Sequence, residues 1–409
     1  MKKMFALVLT FALALSLFAG CAAAPSAGET ASSDLTVALV VAGTFGDRSF
    51  YDSSKAGCDK LAAEGVQIKT IECKNDGHTQ QIYNAADAAD VVVLVGWEFY
   101  DVETVAPEYP DKRFIWIDNA TSAPVANVLN ITYAQIEGSF LAGYIAAKVT
   151  ESGVIGAMGG QDQDTINDFI VGYKQGALYA NPDVKVEVIY SNDYDDPAIG
   201  KECALTLNEK GADVVFQIAS KCGDGVFEAA KEKGFYAIGV ASAQKYIDPE
   251  VIICSMCKEV GDSIYHAVKE YMEKGDDCGL WGTTWVADMV TGYVGIGYGE
   301  EGSTQQVSDE IKQEVEGLAK MIVDGEIKVE TTRYFRNICS TARCITHRAV
   351  LMFVIFQVSA MHKNLYAAVQ QELLKFVGKS RRPTRACLAG RCRYTTGRTR
   401  FVTAVQILV

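Results

Sequence analysis

LTVALVVAGTFGDRSFYDSSKAGCDKLAAEG, residues 35–65, carries the pattern that decides the fold. An apolar run ends at Gly43, and a segment with helical periodicity follows and stops at Gly65. A short run that is apolar throughout is typical of a strand in a parallel sheet, which helices cover on both faces. The stretch therefore predicts one strand and one helix of an α/β domain.

Strand and helix patterns continue to alternate in two successive series. The first has apolar runs at 66–72, 91–96, 113–118 and 127–133, and the second at 153–160, 184–190, 212–220 and 235–242. Two such series predict two similar lobes, each a doubly wound parallel sheet. Because open α/β sheets bind ligands at the carboxyl ends of their strands, we expect the site in the cleft between the lobes.

The first 34 residues predict export and a lipid anchor. Two lysines precede an apolar run at residues 4–18, the pattern of a secretory signal peptide over residues 1–20. The sequence FAGC at residues 18–21 resembles the lipoprotein box of bacteria, so Cys21 is the expected lipidation site. The small and polar residues 21–34 then read as a flexible tether to the cell membrane. The alternative is an ordinary signal peptide with a chance cysteine.

Charge divides the chain at about residue 331. Residues 331–409 contain fourteen Lys/Arg and one acidic residue, a net charge of +13, whereas the whole chain carries −13. Residues 1–330 therefore carry −26, which argues against nucleic acid as a partner of the folded part, since binding phosphates requires Lys and Arg. The tail is either a basic arm for nucleic acid or anionic lipid, or out-of-frame or fused sequence; its abrupt change in arginine usage favours the second interpretation.

Several segments resemble the basic membrane protein family in their order and spacing. They are GTFGDRSFYDSSKAG, YPDKRFIWIDN, ITYAQIEGSFLAGYIAAKV, GVIGAMGG, FIVGYKQGALYANPDVKVEVIY, KGADVVFQIA and FYAIGV, within roughly residues 35–330. The family is similar to the purine nucleoside receptors of spirochaetes, which are substrate-binding lipoproteins of ABC importers. The resemblance implies a type I periplasmic-binding fold, in which two lobes joined by three crossovers close over a nucleoside and act with an ABC permease.

This fold implies discontinuous lobes. Residues 35–132 are expected to form lobe 1, to which about 257–283 return, and residues 133–256 to form lobe 2, to which about 284–305 return. A helix over residues 306–330 is expected to end the folded part. We expect a monomer with no cofactor and no metal ion.

Aromatic and polar side chains near the predicted strand ends form the candidate site. They are Asp47, Ser49, Phe50, Tyr51, Trp97 and Asp118 from the first lobe, and Phe169, Phe216, Ala241 and Lys258 from the second lobe and hinge. Aromatic faces can stack on a nucleoside base, and carboxylates can accept hydrogen bonds from ribose hydroxyls. Core packing is the alternative for Phe169 and Phe216, and capping of a turn is the alternative for Asp118.

The candidate site follows the family pattern only in part. The family usually shows Asp-Asp-Lys-Ser-Phe-Asn after the first strand; Asp47 and Phe50 match it, whereas Gly46 and Tyr51 replace the first acid and the asparagine. Lys258 matches the family lysine that follows the hinge strand.

The segment IGVASAQ, residues 238–244, departs further from the family. The family usually reads Gly-Val-Asp-Ser-Asp-Gln here. The resemblance implies that the first acid accepts hydrogen bonds from the ribose hydroxyls. Ala241 and Ala243 occupy the two acid positions. Losing such an acceptor costs about 1.5–3 kcal/mol if the hydroxyls are still buried. Either another carboxylate takes over, or the ligand has no ribose diol, as in a flavin or another heterocycle.

Other chemistry is sparse in the sequence. The histidines are scattered and predict no zinc cluster; they are His78, His266, His347 and His362. Cys254 and Cys257 have the spacing of a redox motif but lie at a strand end, which favours ordinary buried residues. No Ser–His–acid constellation is evident, so the sequence predicts a binding protein and not an enzyme. The alternatives are a ligand sensor without an import role and a nucleoside hydrolase.

Overall fold

The structure is a computed structural model that describes residues 35–300 and 302–331. All of these residues belong to one compact unit of the chain. The predictions about the signal peptide, Cys21, the tether and the basic tail beyond residue 331 lie outside the described residues.

Lobe 1 is built on a sheet of six parallel strands. They are β1 (Thr36–Val41), β2 (Gln67–Glu72), β3 (Val91–Val95), β4 (Arg113–Ile117), β5 (Val128–Tyr133) and β11 (Thr283–Ala287). Their order across the sheet is β11-β5-β4-β3-β1-β2, and all neighbours run parallel. Successive residues of β3 belong to two different apolar clusters, because its side chains point alternately to the two covered faces.

Lobe 2 repeats the arrangement with one antiparallel edge. Its strands are β6 (Val154–Gly159), β7 (Lys185–Tyr190), β8 (Val214–Ile218), β9 (Tyr236–Ala241), β10 (Ile252–Lys258) and β12 (Val294–Gly297). The order is β12-β10-β9-β8-β6-β7, with β12 antiparallel to β10 and the other neighbours parallel.

Helices connect and cover the strands. In the described ranges the α-helices are α1 (Phe50–Ala63), α2 (His78–Ala88), α3 (Val102–Val105), α4 (Gln135–Val149), α5 (Asp164–Ala180), α6 (Pro197–Glu209), α7 (Asp224–Lys233), α8 (Val260–Lys274) and α9 (Asp309–Val323). None of these described helices combines the length and the apolar character that a membrane crossing requires.

The chain passes between the lobes after β5, after β10 and after β11. After the second passage α8 packs against α1, and the helices approach so closely that a Cβ on Gly57 would lie 2.1 Å from the Gly261 carbonyl oxygen. Strand β11 places residues 284–287 in lobe 1, although the sequence assigned them to the segment that returns to lobe 2. The first sheet therefore extends a few residues further along the chain than predicted.

Candidate ligand-binding cleft

Strand ends from both sheets converge on one cavity between the lobes. Lobe 1 contributes the ends of β3 and β4 and the start of α1, and lobe 2 contributes the start of α5 and the ends of β8, β9 and β10. The lining residues are Ser49, Phe50, Tyr51, Gly96, Trp97, Glu98, Asp118, Gln163, Thr165, Ile166, Phe169, Tyr194, Ile218, Ser220, Val240, Ala241 and Lys258. The cavity thus occupies the cleft at the carboxyl ends of the strands, where such sheets bind ligands.

Hydrogen bonds and ion pairs hold the two lobes together across the cleft. The Ser49 hydroxyl donates to the Val240 carbonyl oxygen at 3.0 Å, deep in the interface. Arg48 pairs with Asp224 at 2.5 Å nearer the surface. The structure therefore has the lobes in contact, with the cavity between them.

Two phenyl rings from opposite lobes border the same part of the cavity. The Nζ atom of Lys258 lies 4.8 Å from the ring centre of Phe50 in lobe 1 and 5.4 Å from that of Phe169 in lobe 2. The Tyr133 ring is 4.9 Å away on a third side. An ammonium group at these distances is attracted by the ring faces, so Lys258 is held within an aromatic enclosure.

Asp118 and Lys258 form a buried ion pair across the cleft. Oδ2 of Asp118, at the end of β4, accepts a hydrogen bond of 2.8 Å from Nζ of Lys258, at the end of β10. The two side chains are 13% and 3% exposed. Two residues that the sequence predicted for the site are therefore joined to each other, and they add charge to a largely aromatic cavity.

Asp47 is buried and hydrogen-bonded within its own loop. Its carboxylate accepts hydrogen bonds from the backbone N–H groups of Ser49, Tyr51 and Asp52 and from the Ser220 hydroxyl. Burial raises the pKa of Asp47, and these bonds partly oppose that effect. It lies outside the described cavity lining because the first turn of α1 has unpaired N–H groups, which its oxygens satisfy. Asp47 therefore holds the loop and bridges to Ser220 of the lining, and its role in ligand binding stays a prediction.

Phe216 also lies outside the described lining. It is fully buried in β8, with its ring centre 6.4 Å from that of Phe169 and 5.3 Å from that of Tyr173. Its side chain points to the face of the sheet that α4 and α5 cover, so the core interpretation applies to Phe216. It supports Phe169, which itself reaches the cavity.

Tyr51 and Trp97 line the cavity from lobe 1. Burial raises the pKa of the Tyr51 phenol well above its ordinary value, so the hydroxyl stays protonated. Trp97 is 39% exposed and also borders an open surface pocket next to the cleft. Trp97 therefore marks the edge of the cavity, whereas Tyr51 lies inside it.

Ala241 lines the cavity in an unusual backbone conformation. Its φ is +64°, the left-handed region that disfavours residues with a Cβ, although Asn and Asp enter it more readily. Asp118 and Ser220 at other strand ends also have positive φ values. Strained backbone of this kind clusters at binding sites. The backbone at Ala241 thus suits the acid that the family usually has there.

Glu98 is the cavity residue that sequence reasoning missed. It lies between two aromatic residues, Trp97 and Phe99, in the segment GWEF. Burial raises its pKa to about 7, and the nearby Asp118 carboxylate adds to the effect. The signal that could have found it is an acid in the segment that directly follows a buried strand. Other lining residues with polar side chains and no prediction are Gln163, Thr165, Tyr194 and Ser220.

Metal-binding clusters and disulfides are absent from the described part of the chain. Residues 35–300 and 302–331 contain no group of three or more His, Cys, Asp or Glu side chains arranged to hold a metal ion. The seven cysteines in these ranges are all free. Cys254 and Cys257 are buried in β10, as the interpretation of ordinary core residues predicts.

The two lobes and the cavity at their strand ends define the class of solute-binding proteins with the type I periplasmic-binding fold. An ABC transporter solute-binding protein from Aeropyrum pernix has a similar structure, with a TM-score of 0.65 and 28% identity, over 73% of this chain and 94% of that protein. A second solute-binding protein, from Conexibacter woesei, shares the fold with a TM-score of 0.59 and 23% identity, over 73% of this chain and 99% of its own.

The amino-acid sequence identifies the family within this class. Residues 35–333 match the family of ABC transporter substrate-binding proteins described as PnrA-like. Basic membrane protein A of Borreliella burgdorferi is 30% identical over 81% of this chain and 97% of that protein. Basic membrane protein A2 of Borrelia garinii is 32% identical over 72% of this chain and 87% of that protein. The chain belongs to the basic membrane protein family, which confirms the predicted family and fold.

Proposed function

We propose that this protein is a lipid-anchored receptor outside the cytoplasm that captures a purine nucleoside between its lobes and delivers it to an ABC permease. The observation that carries the proposal is the pair of rings, Phe50 and Phe169, that border one cavity from opposite lobes. The family's substrate-binding role supports the transport part of the proposal. Cys21 is its proposed lipid attachment site.

The aromatic residues provide the affinity for a flat base. Stacking contributes about 1–3 kcal/mol per base and tolerates different bases. Micromolar binding requires about −8 kcal/mol. Two stacked faces and a few hydrogen bonds to charged groups are the interactions from which this value would have to come, after the entropic cost of association.

Polar groups in the same cavity recognise the rest of the ligand. Lys258 can donate to a base or ribose acceptor, and Asp118 can accept from a hydroxyl while it remains paired with Lys258. Ser220, whose hydroxyl proton is donated to Asp47, can accept a hydrogen bond, and Thr165 adds a second hydroxyl group. The set suits a ligand with one aromatic end and one hydroxylated end.

Closure of the lobes connects ligand capture to transport. The contacts between Ser49 and Val240 and between Arg48 and Asp224 form only when the lobes meet. A ligand that bridges the lobes stabilises this state, which gives a permease a surface that differs from the open form.

A heterocycle without a ribose diol is the second candidate ligand. The observation that favours it is Ala241, which lines the cavity but offers no side-chain acceptor at the family's acid position. A flavin represents this class in the test below.

The test is a thermal-shift panel on the purified full-length protein with purine and pyrimidine nucleosides, free bases, riboflavin and sugars. A ligand at 100 times its dissociation constant adds about 2.7 kcal/mol of stability. Inosine is expected to raise the melting temperature, and the shift should fall for Phe50→Leu but not for Tyr236→Leu, an aromatic residue outside the lining. A shift with riboflavin and none with any nucleoside would overturn the nucleoside assignment. Release of free hypoxanthine from inosine would instead establish a hydrolase.

A further inference from the structure

Two carboxylate oxygens in the cavity have no hydrogen-bond partner within residues 35–300 and 302–331. They are Oε2 of Glu98 and Oδ1 of Asp118, and both atoms are shielded from solvent. Glu98 and Asp118 follow neighbouring strands, β3 and β4, and both line the cavity. Lobe 1 therefore holds two unpaired carboxylate oxygens on residues that line the cavity.

Buried acceptors of this kind point to a ligand that supplies donors. Buried polar atoms in folded proteins are almost always hydrogen-bonded, and leaving one unpaired carries a desolvation cost. Lys258 satisfies the other oxygen of Asp118, so it does not account for Oδ1. A ligand with two neighbouring hydroxyl groups could supply a donor to each of these oxygens.

We propose that Glu98, together with Asp118, accepts the two ribose hydroxyls and so replaces the acid that is missing at Ala241. This inference rests on the proposed nucleoside-binding function. Ala241 lines the same cavity as Glu98. In this protein the acceptor for the ribose would therefore be on lobe 1, whereas the family's acid is on lobe 2. Glu98 is then the residue that selects a ribonucleoside over its deoxy forms.

Gly96 makes this position of Glu98 possible. Its φ is +132°, and a Cβ built there would lie 2.4 Å from Oε2 of Glu98. The Glu98 carboxylate thus folds back over the end of β3, into space that any other residue at position 96 would fill.

The surroundings of Glu98 predict that binding depends on pH. Burial raises its pKa to about 7. The ionisable groups that face it are Asp118, Tyr51, Tyr194 and Cys73, and Lys258 lies beyond Asp118. Hydroxyl donors favour the ionised carboxylate, so affinity for a ribonucleoside rises as the pH rises through 7. The expected loss is about tenfold between pH 8 and pH 6.

The experiment is calorimetric titration of the full-length protein with inosine, 2′,3′-dideoxyinosine and hypoxanthine at pH 6 and pH 8. Glu98→Gln is expected to weaken inosine binding about 10- to 100-fold at pH 8, to leave dideoxyinosine unchanged and to abolish the pH dependence. Ala241→Asp in the Glu98→Gln background is expected to restore the preference for inosine. Glu108→Gln, an exposed glutamate on the same lobe, is the matched control and should change nothing.

The outcomes separate this inference from the proposed function. If the unmodified protein binds inosine and dideoxyinosine equally, or Glu98→Gln weakens both equally, the role of Glu98 is refuted and nucleoside binding stands. If the unmodified protein binds none of the three compounds, both proposals fail. Glu98→Asp provides a second test if the glutamine variant does not fold. It keeps the charge and is expected to retain part of the preference for inosine.

Discussion

Glu98→Gln is expected to stabilise the ligand-free protein at neutral and alkaline pH. The pKa of the Glu98 carboxyl rises from 4.5 to about 7 on folding, chiefly because burial disfavours its charged form. A group with a raised pKa contributes its full stability below the unfolded value, and that contribution is lost as the pH rises through the folded value. Glutamine does not ionise, so the variant avoids this loss.

The size of the effect follows from the two pKa values. At about 1.4 kcal/mol per pH unit, the interval from 4.5 to about 7 corresponds to a difference of about 3 kcal/mol in the free energy of unfolding. The difference between the variant and the unmodified protein should be small at pH 4.5, grow up to pH 7 and stay constant above it. The physical reason is that the native protein must then hold a desolvated carboxylate without a ligand to bind it.

The assay is urea unfolding followed by circular dichroism at several values between pH 5 and pH 8, without nucleoside. Glu209→Gln, at the exposed end of α6, is the control and should show no pH-dependent difference. A Glu98→Gln protein that is less stable at pH 8, or a difference that does not change with pH, would refute the reasoning. The gain in stability together with a loss of ligand affinity is the usual trade-off at a binding site.

Three further changes test other parts of the structure. Lys258→Met leaves Asp118 buried without its cation and is expected to cost about 3–5 kcal/mol in urea unfolding; a cost below about 1 kcal/mol would contradict the buried ion pair. Phe216→Leu should lower the free energy of unfolding by about 1–3 kcal/mol and change ligand affinity less than threefold, whereas a large loss of affinity would place Phe216 in the cavity after all. Burial raises the pKa of the Cys257 thiol to about 12, so mass spectrometry should find it unmodified after iodoacetamide treatment of the native protein at pH 8; rapid alkylation would show that β10 is accessible.

Much of the fold could be predicted from local patterns. Runs such as VVVLV at residues 91–95 are apolar throughout, because both faces of the sheet are covered by helices. The restart of the alternation at Gly153 predicted the second lobe. The return of the chain was harder to place, since Thr283–Ala287 is a lobe 1 edge strand with largely exposed side chains and carries no buried-strand pattern.

The candidate site was predicted in outline and changed in detail. The cavity does contain Trp97, Asp118 and Lys258, which lie at strand ends, and Phe50, which begins α1. Asp47 has the expected position in the chain, but nearby backbone N–H groups donate hydrogen bonds to its carboxylate oxygens. Local sequence indicates that an acid is near a strand end. It does not indicate which hydrogen-bond donors the carboxylate will pair with.

What the sequence determined by itself is the two-lobed α/β fold, the family and the cleft at the strand ends, because these depend on periodicity and order along the chain. The tertiary structure decided which side chains face the cavity. Phe216 points into the core and Glu98 into the cleft, a difference that depends on strand register and on the turn at Gly96. The alternation of side chains along a strand means that one residue of shift exchanges the two faces. Only the packed lobes therefore reveal a buried carboxylate opposite Ala241.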